Sequence, residues 1–547
     1  MSNPHIPSSQ DAVLTPPEVD PAVRADTATP YRLGHALACA AVALLLGLTQ
    51  GLGINLVNSN LGGVQGALGA TASEAAWLTT AYYATNIAGV LLLTKVRFQF
   101  GLEKFAGAAI GVFVLTALAH LFAQDLSSAI LVRATFGLVA APLSSLAIFY
   151  MIQAMPAAKA PVGLLLGFGV LQLGQPLSRV ISEDLLMHGQ WRGLNLLDLA
   201  LGVLSLTAIH TVRLRPVQPQ RVFSRGDLVS FPLYACGFAL LCVVFTQGRI
   251  HWWTDTPWLG WCLAGAVLCL GLYVLVEWHR TSPLVDLRWV VRPFMRRFIL
   301  ALVVFRVALV EQSTGAVGLM TALGFNNDQM HELFLGVTFA TLAGFVLLVP
   351  LIASKFVPRM GLGALVLILI AASMDGDATV LTRPHDLYVS QLLLGLALAI
   401  FFSCAVIVGF GHVVADGMRN IIGFIAVFSS IQPIASLAGN AWLSSLVYQR
   451  QRRHYQDLSE SVVLSDPQVA DRIAHLGAAL APSLGDRSTL GANAAGLLAQ
   501  QVRQQATVMA YNDLFHAVAL LALGALLLFA SPPLFRHMRE CLRALAK

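Results

Sequence analysis

This chain has little charge. Across 547 residues only 11% are Asp, Glu, Lys or Arg, against 57% hydrophobic, and the mean hydropathy is +0.72. A water-soluble domain of this length cannot be built from so few ionic groups, so the composition excludes a soluble enzyme and implies a polytopic membrane protein. Cysteine is also scarce. The seven thiols mostly lie inside apolar stretches without metal-ligand spacing, which leaves neither a disulfide framework nor a metal site to expect. There is no His-rich box, no paired Asp motif at a membrane face and no nucleotide-binding loop, so the sequence offers an enzyme no catalytic cluster and no cofactor site. The net charge of +6 bears on topology and does not suggest a nucleic-acid partner.

What is present is a series of long apolar runs. A helix needs about 20 apolar residues to cross a bilayer, and about 14 stretches of that kind can be counted between residues 35 and 531. Residues 1–34, rich in Pro, Ser, Ala and Asp, read as a disordered cytoplasmic tail. Starting the chain in the cytoplasm places Lys95, Arg97, Lys104, Arg280, Arg288, Arg292, Lys355 and Arg359 on one side. Arg192, Arg249 and Arg383 remain in the short loops opposite. That asymmetry satisfies the positive-inside rule and predicts both termini in the cytoplasm.

Two short repeats suggest internal duplication. Thr94-Lys95, five residues, then Gly101-Leu102 is echoed by Ser354-Lys355, five residues, then Gly361-Leu362; Gln175-Pro176 is echoed by Gln432-Pro433. The expected plan is two six-helix bundles, 35–212 and 297–547, with two extra helices inserted within 213–296. One long outward loop, 448–511, carries helical signals. Asp466-Pro467 reads as a helix start, and Val469, Ile473, Leu476 and Leu480 recur at helical spacing. It would serve as a docking surface for another protein or as a cap over the outer mouth.

The organising stretch is 130–181. Arg133 and Arg179 stand in apolar helices, where an arginine costs roughly 3 kcal/mol, so each is expected to face a partner or a wet interior. Pro142, Gly174, Pro176 and Pro433 are hinge candidates, because proline frees a backbone carbonyl and glycine permits close helix approach. Arg306, Asn55, Asn58, Gln172, Gln175 and Gln312, together with Arg179, are candidates to line a substrate cavity; for any single amide, interhelical hydrogen bonding is the alternative. Thr94, Lys95, Gly101, Ser354, Lys355 and Gly361 are candidates for a gate on the cytoplasmic side. Glu311 is read as the one carboxylate near the middle of a span. It stands five residues after Arg306, about 140° around a helix, so the two are not a same-face pair.

These features together resemble the major facilitator superfamily, and within it the fourteen-helix drug:proton antiporter branch of the EmrB type. The matches are Arg133 with Gly137 and Pro142, the glycine-rich fifth helix, Trp77 to Tyr82, Pro283-Leu-Val-Asp286, and Ser459-Glu460-Ser461-Val462. The resemblance implies an all-α fold of two six-helix bundles plus two helices. It also implies export of amphipathic or lipophilic compounds across the bacterial inner membrane, coupled to protons, with a periplasmic adaptor and an outer-membrane channel as partners. The chain departs from the family in three places. The first helix has Gln50 to Asn55 where an acid is usual, the second loop has Thr94 at a position usually glycine, and the antiporter signature reads Gly174-Gln-Pro-Leu-Ser-Arg179. The expectation is therefore that the proton site lies at Glu311 in the other half, with Arg133 modulating it. The alternatives are a Glu311 held ionised by an arginine, an organic-anion carrier with different coupling, and a non-transporting receptor or scaffold using the outer loop.

Overall fold

The computed structural model of the chain describes residues 33–156, 159–187, 191–214, 224–280, 283–351, 357–416, 420–463, 465–481 and 490–545. The expected tail lies almost wholly outside them, as do Ser354 and Lys355 and the side chain of Thr94. The described residues are nearly all helical. In order they form α1 Leu33–Ser59, α2 Leu61–Ala67, α3 Ala72–Phe100, α4 Leu102–His120, α5 Leu126–Gln153, α6 Ala160–Gln172, α7 Gly174–Met187 and α8 Trp191–Thr211. Next come α9 Asp227–Gln247, α10 Pro257–Trp278, α11 Leu287–Val290, α12 Pro293–Leu309, α13 Val317–Ala322, α14 His331–Leu348 and α15 Val357–Asp375. The chain closes with α16 Tyr388–Ala415, α17 Ile421–Ser461, α18 Pro467–Leu480 and α19 Leu490–Leu545.

Among the described residues, twelve helices are long and apolar enough to cross a membrane. The two expected crossings not among them correspond to α15 and to α12–α13, where a π-helical segment, Glu311–Ala316, interrupts the helix. Local signals account for several boundaries. Thr71 and Glu74 form a reciprocal capping box at the start of α3, and Asp125 accepts from the Ser128 amide at the start of α5. Gly101, between α3 and α4, has φ +84°, a conformation that disfavours any side chain. Its counterpart in the repeat, Gly361, lies inside α15 with ordinary helical geometry, so the two copies of that motif are not equivalent turns.

Two hydrophobic cores divide the molecule. One gathers Leu46, Tyr82, Phe113, Phe136 and Leu146 from α1, α3, α4 and α5; the other gathers Phe305, Leu319, Phe402, Phe428 and Phe515 from α12 to α19, joined by Leu165 and Phe168 of α6. Lipid is as apolar as leucine, so helices in such cores are held by close packing and polar contacts more than by exclusion of water. Small residues provide the closeness. A Cβ on Gly137 would come within 2.3 Å of the Tyr82 carbonyl oxygen, and one on Gly174 within 2.4 Å of the Gly51 backbone.

The pair α9–α10 packs against α3 on one side and α17 on the other. Thr80 and Thr246 share a hydrogen bond at 2.7 Å, Tyr234 bonds Ser430, and the Trp253 indole donates to Ser445 at 3.0 Å. At the end of the molecule rich in Lys and Arg, hereafter the basic end, the same pair holds Lys95. Its ammonium lies 2.8 Å from Asp227, which also receives Arg280 at 2.7 Å, while Arg280 reaches Glu277. Lys95, Asp227 and Glu277 are buried, and the two cations balance the two anions. Partial burial works against the charge of Arg280, but Asp227 and Glu277 hold its guanidinium above the ordinary value. Lys95, expected in a gate, is thus fastened to the inserted helices.

The 448–511 stretch also has the expected helices among its described residues. Asp466 caps α18, whose half-buried Val469, Ile473, Leu476 and Leu480 turn towards α19. With the ends of α17 and α19 it forms a helical projection. His454 and Arg450 of α17 both contact Asp513 of α19, at 2.9 and 3.5 Å.

Candidate functional site

Between the two cores lies a cavity of about 580 Å³. Its polar lining includes Gln50 and Asn55 of α1, Gln172 and Gln175 at the α6–α7 break, Arg306 of α12 and Gln432 of α17. Phe168, Phe402 and Phe428 supply an aromatic wall, with Phe168 tilted against Phe402 at 6.1 Å and edge-on to Phe428 at 5.2 Å between ring centroids. The two Gln-Pro repeats therefore face one space. Pro176 cannot continue the hydrogen bonding of α6, which ends at Gln172; Pro433 leaves without its helical donor the carbonyl of Ser429, another lining residue. Gly174 crosses Gly51 at the same level, which brings the amides on either side of it into the cavity wall.

Among the described residues the cavity runs to one end. Arg97, Ile152, Ala160, Phe410 and Ile425 line it at the basic ends of α3, α5, α6, α16 and α17. At the opposite end the halves are tied together. Arg179 donates to Asn327 at 2.9 Å and stacks over Phe334, while the Asn327 amide donates to the Ser59 carbonyl and to Asn60 at 3.1 and 3.2 Å. Ser59 and Ser178 share a 2.7 Å hydrogen bond. None of these residues lines the cavity. Arg179 therefore belongs to this closure opposite the basic end and not to the cavity, a correction that follows from its lying past the Pro176 break, one turn beyond the wall. The side chains of Glu183 and Asp184, considered as its neutralising partners, lie outside the described residues. Asn58 is likewise turned away, accepting from Thr79 at 2.8 Å.

Beside the main cavity a recess of about 20 Å³ opens among Gln175, Arg306, Gln312, Ser313 and Ser436. The π segment matters here. A π turn changes the angular register of a helix and is frequent at functional sites. It puts Gln312 in the recess wall with Arg306, while Glu311, its chain neighbour, is fully buried on the other side.

Glu311 does not face an arginine. The Gln391 amide donates to Glu311 at 3.3 Å and to Asp375 at 2.9 Å, so one amide bridges two carboxylates of α15 and the π segment. Asp375 is 3% exposed and Glu311 0%. The second Glu311 oxygen and the Gln391 carbonyl oxygen have no partner. In the other half, Arg133 is 2% exposed and donates to the carbonyls of Gly53 and Ile54 at 2.9 and 3.2 Å, its guanidinium 4.6 Å from the Tyr82 ring centre. Asp198 of α8 lies buried within electrostatic reach of Arg133, with one oxygen unpartnered. Backbone carbonyls, a ring face and this carboxylate explain how the guanidinium is accommodated without water.

Asp198 and Asp375 are further buried acids that reading Glu311 as the one carboxylate near the middle of a span did not reach. Both stand near the ends of apolar runs, where an acid ordinarily faces solvent, and no local pattern distinguishes a buried one. Asn327 was missed for the same reason, being a loop residue. Among the described residues no group of three or more His, Cys, Asp or Glu side chains is placed to hold a metal ion.

No protein-family profile matches the chain. Its sequence is 24% identical to the multidrug export protein EmrB of Haemophilus influenzae, over 91% of this chain and 97% of that one. It is 22% identical to the fatty acid resistance protein FarB of Neisseria gonorrhoeae, with the same coverage. Among solved structures, the human organic anion transporter MFSD10 superposes with a TM-score of 0.53 at 14% identity, covering 89% of this chain and 99% of that one. A double-tryptophan mutant of XylE gives 0.50 at 13% identity, covering 89% and 95%.

Proposed function

From the premise that this chain is an EmrB-like, multi-pass membrane protein of the major facilitator superfamily, we propose that it exports small amphipathic compounds across the bacterial inner membrane by proton-coupled alternating access. The observation that carries this reading is the central cavity, which reaches the basic end and stops short of the Arg179–Asn327 closure. Under the positive-inside rule the basic end is cytoplasmic, so this is an inward-facing state. The two cores, corresponding to residues 35–212 and 297–547, would rock about the cavity while α9–α10 bridge them.

Glu311 and Asp375 are assigned the proton. Two carboxylates bridged by one amide, with no cation paired to either among the described residues, are best accommodated with one proton between them. Its loss towards the cytoplasm and recovery from outside would bias the π segment, and through Gln312 the cavity. The projection formed by α17, α18 and α19 is where a periplasmic adaptor would dock; failure of a co-expressed periplasmic adaptor of the EmrA type to co-purify with the exporter would remove that part.

The test is reconstitution in liposomes. Glu311→Gln should abolish uphill transport driven by a pH gradient while keeping counterflow of labelled substrate. Gradient-driven transport with unchanged pH dependence in that variant would defeat the proton assignment, and absence of counterflow by the wild-type protein would defeat the carrier reading.

A further inference from the structure

Among the described residues Arg306 is a cation with no anion. It makes no ion pair among them, its Nε has no partner, and its ionisable neighbour is the phenol of Tyr83. No Asp or Glu lines either the main cavity or the recess. Around it are donors that are also unspent. Gln312 Nε2 is buried without a partner, and both the nitrogen and the oxygen of Gln432 are buried and unpartnered. Gln312 and Gln432 are only 6% and 8% exposed, so bulk water does not satisfy them. A buried donor left unsatisfied is destabilising, and more so when it is charged. Arg306 lines both spaces, Gln312 the recess and Gln432 the main cavity, so the unsatisfied donors flank the junction of the two and describe a site whose ligand supplies the missing acceptors.

The dimensions fit a two-part ligand. The recess of about 20 Å³ exceeds the ~10–15 Å³ needed for one water-sized group, so it takes a small head and nothing larger. The main cavity, at about 580 Å³, falls within the range for drug-sized molecules, and its aromatic wall is apolar. The geometry points to an amphipathic monoanion as the ligand: a carboxylate-like head at the recess, seated on Arg306 and Gln312, with Gln432 on the main-cavity side and an apolar body along Phe168, Phe402 and Phe428. Arg97, stacked over Phe149 at 4.3 Å and lining the basic end, gives the same anion a first station on entry. The inference rests on the transport reading only for the ligand's movement; the head-group site stands on binding alone.

The experiment measures binding of radiolabelled decanoate to the full-length protein in phosphatidylcholine nanodiscs, at alkaline pH, with empty discs as background. Competitors of equal chain length are decanesulfonate, decyltrimethylammonium and decanol. Decanesulfonate is expected to displace the label at a concentration about tenfold or more below that of the cation or the alcohol, the difference a charge-assisted hydrogen bond makes. Arg306→Gln should weaken decanoate by a similar factor, with Arg306→Lys partly restoring it. Equal potency of the cation, or full affinity in Arg306→Gln, overturns the assignment. Should Arg306→Gln fail to assemble, Gln312→Leu with Gln432→Leu supplies the same comparison, and undiminished binding there overturns it equally. Decanoate binding without transport would sink the export reading and leave this site. Uphill export of a cation, unaffected by Arg306→Gln, would do the reverse.

Discussion

Gly174→Ala tests whether the cavity depends on the α1–α7 crossing. The new Cβ would stand 2.4 Å from the Cα and C of Gly51 and 2.7 Å from its oxygen. Carbon atoms pack at about 3.5–4.0 Å, so the two backbones must separate by about 1 Å, and no side-chain rotation can relieve a contact with backbone. Overpacking of this kind costs about 1–3 kcal/mol, against which alanine returns at most about 1 kcal/mol of helix propensity. The functional loss should exceed the loss of stability, because the neighbouring residues Gln50 and Gln175 carry two of the cavity's amides and move with the helices. Gly51→Ala, whose Cβ meets Gly174 Cα at 3.0 Å, should be milder, and Gly107→Ala, which meets nothing within 4 Å, neutral or slightly stabilising. Thermal unfolding in nanodiscs and counterflow in liposomes give the order directly. A Gly174→Ala protein with wild-type melting temperature and rate would refute the reasoning.

Lys95→Met leaves Asp227 with Arg280 alone in a buried cluster; breaking such a pair costs up to about 3–5 kcal/mol, read as a lowered melting temperature, and an unchanged one would mean the inserted helices do not depend on this contact. Arg179→Ala removes the cation that ties α7 to Asn327, so a cysteine placed at Ser59 in a cysteine-free background should react faster with a membrane-impermeant thiol reagent added outside. Equal labelling with and without Arg179 would show that the outer closure is held elsewhere.

Residues that answer to a local rule were legible before any fold was known. The rule that a lone cation is not left in lipid singled out Arg133 and Arg306, and both prove to be enclosed; the Gln-Pro repeats marked two helices that meet at one cavity. Arg179 obeyed the same rule and was still assigned to the wrong place, because the break at Gly174–Pro176 carries it past the cavity and into the closure. Asp198, Asp375 and Gln391 gave no warning, since an acid or amide near the end of an apolar run looks the same whether it meets water or another helix.

The sequence by itself determined that this chain is a membrane bundle, where most of its crossings fall, and which few side chains cannot face lipid, because hydropathy is a property of consecutive residues. Only the tertiary structure decided that Glu311 shares the Gln391 amide with Asp375, that Lys95 is fastened to α9–α10, and that Arg306 lines the cavity without an ion pair among the described residues. Those are facts about pairs separated by tens to hundreds of residues, and the strength of a charge contact depends on distances of a few ångströms that no spacing along the chain records.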